Sequence, residues 1–129
     1  MKVFFGLSLI TAILVSACGS EVNLKHVSKK IDYVQVAKFN IQTGDKIGSV
    51  TVKDPKEIKS LLGHIGSSEA PWMKCGHDFE LHCFKKDGTS FLIEVNSDEL
   101  CRTAVFNYED ETQSRYFSED GVEWLNTLF

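Results

Sequence analysis

The first 18 residues decide how much of this chain is left to fold. Lys2 supplies a positive start, Val3 to Val15 form an apolar run without a charge, and the small residues Ser16-Ala17 stand directly before Cys18. A charged start, an apolar middle and a small-residue end make an export signal. A membrane-spanning helix needs about 18 or more apolar residues. This run is shorter and closes on small residues, so the sequence predicts a cleaved leader over residues 1–17 in place of a span or a buried core helix.

Val15-Ser16-Ala17-Cys18 resembles the lipobox of bacterial lipoproteins. The resemblance covers residues 1–18 only. It implies that the Cys18 sulfur receives a diacylglyceryl group, that the chain is cut just before Cys18, and that fatty acyl chains such as palmitate then hold it to a membrane. Each buried methylene contributes about 0.8 kcal/mol and one acyl chain anchors only marginally, so two or three chains on Cys18 give a stable anchor. Gly19 follows the cysteine, where the signal that retains Gram-negative lipoproteins at the inner membrane usually has aspartate. The resemblance therefore implies an outer-membrane lipoprotein facing the periplasm.

Residues 18–129 amount to one domain's worth of chain. The precursor's formal charge is −4, and loss of Lys2 makes the mature chain more acidic still. Such a chain has no electrostatic reason to bind nucleic acid or an anionic membrane surface. Its carboxylates crowd toward the C-terminus, where Glu109, Asp110 and Glu111 are adjacent and only Arg102 and Arg115 are basic after residue 94. Residues 18–30 are polar and lack a period beyond the cysteine, so they read as a lipidated tether, with the folded domain over residues 31–129.

Two β-rich runs, 31–41 and 46–53, flank the turn Gln42-Thr43-Gly44-Asp45 and predict a hairpin. Asp54-Pro55-Lys56-Glu57 is a helix start, with Asp as N-cap, Pro at the first helical position and Glu three residues after the cap. Ile58, Leu61, Leu62 and Ile65 continue it as one apolar stripe. Residues 66–78 hold Pro71, glycines and serines without a period, a long loop of the kind that often carries function. Runs at 79–85, 91–95, 101–108 and 113–118 then read as a four-stranded antiparallel meander, and Ser118 caps a last helix containing Trp124. The predicted class is α+β: hairpin, helix, four-stranded meander and C-terminal helix, with the helices packed on one face of an antiparallel sheet.

An exported chain meets an oxidising compartment, which permits disulfides. With Cys18 lipidated, Cys75, Cys83 and Cys101 remain. A two-residue turn at Asp87-Gly88 places Cys83 opposite Leu92 and Phe79 opposite Asn96; a turn at Asp98 sets Cys101 level with Phe79. That leaves Cys101 about 13 Å from Cys83, beyond disulfide reach. Cys75 lies in the loop before Phe79 and can curl back, so the predicted bridge is Cys75–Cys101, with Cys83 a buried free thiol.

Cys75, His77, His82, Cys83 and Cys101, with Met73 nearby, also form a set of zinc or copper ligands in one span. Strand parity separates them, and CxxC, HxxxH and HExxH are all absent, so no metal and no cofactor is expected. No GxSxG, P-loop or GxGxxG is present, and a mid-strand Cys83 disfavours a thiolate, so no catalytic residues are assigned. The expected function is a non-catalytic protein-binding module, in architecture similar to small tethered inhibitor and immunity proteins of bacterial envelopes. Its contacts would be Trp72, Met73 and His77 on the long loop and Tyr108, Glu109, Asp110 and Glu111 at the acidic turn. The alternatives are an envelope structural or assembly accessory and, third, a metal or redox protein.

Overall fold

The computed structural model describes residues 22–72 and 74–129. Cys18, the rest of the lipobox and Met73 lie outside the described residues. Among the described residues the architecture is α+β: three helices and one mainly antiparallel sheet of seven strands. The helices are α1 (Leu24–Ser28), α2 (Pro55–Gly63) and α3 (Glu119–Thr127). The strands are β1 (Ile31–Phe39), β2 (Lys46–Val52), β3 (Ile65–Glu69), β4 (Phe79–Lys85), β5 (Ser90–Asn96), β6 (Thr103–Tyr108) and β7 (Glu111–Phe117). Their order across the sheet is β2-β1-β4-β5-β6-β7-β3.

Local chemistry explains the longer helices. The Asp54 carboxylate accepts from Lys56 N–H at 2.9 Å and Pro55 opens α2, while the Ser118 hydroxyl accepts from Gly121 N–H at 3.0 Å and opens α3. Ile58, Leu61 and Leu62 of α2 and Leu125 of α3 are fully buried, and Trp124 packs partly buried at the rim of the same core.

Strand register gives the sheet two unlike faces. Val34 pairs with Cys83, Cys83 with Phe91, Ile93 with Phe106 and Val95 with Ala104, and all are buried. Side chains alternate along a strand, so Tyr33, Gln35, Glu80, His82, Phe84, Leu92, Glu94 and Val105 stand on the other face. None of these eight is buried.

Three expectations need correction. The tether ends earlier than residue 30: Leu24 and Val27 each retain only 5% exposure and join the core through α1. Asn23 caps that helix through Lys25 N–H, and two apolar side chains three residues apart suffice to dock one turn. The loop after α2 is also shorter than residues 66–78, because α2 stops at Gly63 and Ile65 turns into edge strand β3, paired with Phe117. Finally, the β4–β5 register is offset by one, with Cys83 opposite Phe91 and Phe79 opposite Val95. Lys85 N–H bonds Thr89 O at 2.8 Å and Gly88 sits at φ 89°, a three-residue loop ending in a left-handed glycine in place of a two-residue turn.

Candidate functional site

Ala70 leaves β3 with its N–H on Ser114 O at 2.7 Å. The chain from there to Asp78 then travels from the β3–β7 edge to the start of β4. It crosses over the outer face: Ser114 has the opposite parity to buried Arg115, and Asn96 the opposite parity to buried Val95. Three devices pin this strap at its far end. Cys75 and Cys101 form a disulfide with Cα atoms 6.1 Å apart. The Asn96 amide, 3% exposed, donates to Cys75 O and Gly76 O, each at 3.0 Å, and its oxygen accepts from Asp98 N–H at 2.8 Å. The Asp78 carboxylate accepts from Ser97 N–H at 2.9 Å and from the Ser97 hydroxyl. Gly76 makes the bend at φ 68°.

His77 projects from the strap between two carboxylates of the outer face. Its Nε2 lies 3.0 Å from Glu80 and its Nδ1 3.2 Å from Glu94, and the two glutamates are cross-strand partners. The ring is hydrogen-bonded to the Glu80 carboxylate and stands within ion-pair distance of the Glu94 carboxylate. Next along the same face, Tyr33 and Phe84 stack with ring centroids 4.6 Å apart, and His82 lies 4.2 Å from Phe84. Leu92, opposite His82, is 37% exposed and Tyr116 50%. At the other end of the strap Trp72 is 66% exposed beside a surface hollow walled by Glu69, Pro71, Thr112 and Ser114.

The structure thus brings Trp72 and His77 onto one sheet face and adds His82, which the sequence offers only as a metal ligand, and Tyr33, Phe84, Leu92 and Tyr116, which the sequence does not single out. It does not bring Tyr108 there. Tyr108 has core parity, is 7% exposed, packs edge-on against Phe91 at 5.2 Å and lies under the Lys85 ammonium, so it is no interface anchor. Glu109 and Asp110 form the two-residue β6–β7 turn at φ 50° and 65°, and all three carboxylates from Glu109 to Glu111 are exposed.

Metal ligation finds no geometry among the described residues. Cys75 and Cys101 are spent on each other, His82 faces away from Cys83, and the two nitrogens of His77 point at different glutamates. Burial pushes the Cys83 thiol up to about 12, so it keeps its proton at neutral pH and supplies no thiolate. No protein family, curated protein or solved structure matches the chain.

Proposed function

We propose that this chain is a small lipid-anchored lipoprotein of the cell envelope whose domain is a non-catalytic binding module for another protein. In this reading Cys18 carries the lipid, Gly19 sends the protein to the outer membrane, and the domain faces the periplasm as an inhibitor or immunity-type partner. The helices are laid on one face of the hairpin-and-meander sheet and the other face is left for the partner. Support for that arrangement is the sharing of one core cluster by helix residues and strand residues of a single parity.

The observation that carries the binding half is the outer face itself. An exposed tryptophan and a patch of aromatic and aliphatic side chains share it with a strap fixed by a disulfide and a saturated asparagine. A rigid aromatic anchor loses little entropy on binding, and such residues typically contribute about 2 to 4 kcal/mol when seated in a partner. The anchor half rests on the order Lys2, apolar run, Ser16-Ala17, Cys18.

Two measurements test the halves separately. Cys18→Ala is expected to abolish incorporation of radiolabelled palmitate, and labelling that persists overturns the anchor. Tagged chain recovered from the host envelope is expected to bring down a soluble protein at fixed stoichiometry, weakened by Trp72→Ala and by Leu92→Lys. Recovery of a large membrane complex indifferent to both substitutions supports the accessory reading instead.

A further inference from the structure

The opposite side of the sheet carries a feature that partner binding on the outer face does not use. Arg115 stands on β7 with core parity, paired with Ala104, whose methyl leaves room for a long side chain. It is 4% exposed, and its guanidinium donates to Gly66 O at 3.2 Å, Val22 O at 3.4 Å and Gln113 Oε1 at 3.0 Å. All three acceptors are neutral. Its strand partner on the other side is Glu69, yet among the described residues no carboxylate comes within ion-pair distance of Arg115.

A buried cation without an anion is costly, and removing it from water is compensated only by charge or by full hydrogen bonding. Three of its five N–H groups are engaged in the bonds above. The guanidinium end, through its bonds to Val22 and Gly66, faces a cavity of about 490 Å³ that both residues line. Lys25 stands at the same cavity, and no acidic residue is among the described residues around it. Leu62 and Ile65 supply an apolar wall. In a chain with formal charge −4, a hollow whose described lining holds two cationic residues and no carboxylate runs against the overall field. The volume falls in the range of small-molecule sites, which are apolar with a few placed polar groups, and a guanidinium favours a forked oxyanion.

We propose that the cavity between α1, the α2–β3 junction and Arg115 binds a small carboxylate with an apolar body, its carboxylate on Arg115 and Lys25. Hexanoate is the probe, titrated into the full chain by calorimetry and followed by NMR shifts at Gly66 and Ser67. Saturable binding at one site is expected, weakened at least tenfold by Arg115→Gln, less by Lys25→Ala and least by Arg115→Lys. Hexan-1-ol binding as tightly as hexanoate overturns the proposal, as does an affinity that Lys25→Ala and Arg115→Gln leave unchanged. Should Arg115→Gln fail to fold, Arg115→Lys and Lys25→Ala decide by the same criterion. Glu21 precedes Val22 directly in sequence; binding seen only in Glu21→Gln assigns the cavity to the chain's own carboxylate and also overturns the proposal. None of these outcomes depends on Trp72 or Leu92, so a failure here is distinct from a failure of the partner-binding reading.

Discussion

Reducing the Cys75–Cys101 bridge is expected to lower the melting temperature steeply while leaving a folded domain at room temperature. The cysteines are 26 positions apart, and closing a loop of that size removes roughly 3.5 kcal/mol of denatured-state entropy. For a domain of this length the melting entropy is about 0.2 kcal/mol per kelvin, so the shift is roughly 15 °C. The strap does not depend on the bridge alone, because Asn96 and Asp78 still hold its far end through four hydrogen bonds of their side chains. Reduction should therefore weaken the strap's order more than the sheet's. Calorimetry of oxidised and reduced chain, and of Cys75→Ser with Cys101→Ser, measures the shift; Cys83→Ser should keep the bridge and act only through its buried hydroxyl. A shift under about 3 °C for the double variant would refute the loop-entropy reasoning. A peptide joining Cys83 to either neighbour in a non-reducing digest would refute the pairing.

The β6–β7 turn holds two non-glycine residues in the left-handed region, where Asn-Gly suits the backbone better. Glu109→Asn with Asp110→Gly should stabilise the domain by about 1 kcal/mol in urea unfolding, and a loss of stability would show the turn is held by something other than its backbone. Cys83 gives a pH signature. Its thiol ordinarily titrates near 9.0 and is pushed up to about 12 by burial, so the folded state keeps a proton the unfolded state releases. Stability is present below pH 9 and is lost as pH rises from 9 toward 12, by about 4 kcal/mol over three units. The gap between native chain and Cys83→Ala, measured across that range, should close or reverse by this amount; parallel curves would contradict it.

Features fixed by contiguous residues were legible in the sequence. Asp54-Pro55 started α2 and Ser118 started α3. The pairing of Cys75 with Cys101 was legible too, although the β4–β5 register is off by one and Thr103, in place of Cys101, stands opposite Asn96. The bridge survives both slips because each one moves Cys101 further from Cys83 along the strands. Features decided by tertiary pairing were not legible. Residues 24–28 carry too few apolar positions to show a period, and Gly66-Ser67-Ser68 has poor strand propensity, so α1 and β3 exist because the core and the β7 edge accept them. Trp72 and His77 could be named from the loop's composition. Tyr33, Phe84 and Leu92 could not, since any strand has two faces and only register shows which one is buried. The same ambiguity misplaced Tyr108, whose neighbours in sequence are acidic but whose parity is that of Ala104 and Phe106.

The central claim is that the outer sheet face, with Leu92 and the Trp72 strap, is where this protein meets its partner, and site-specific photocrosslinking in the native host tests it most directly. A photoreactive side chain replacing Leu92 or Trp72 should yield one discrete protein adduct, and the same group replacing exposed Lys59 on α2 should yield none. An adduct from Lys59 with neither outer-face position reacting would contradict the account.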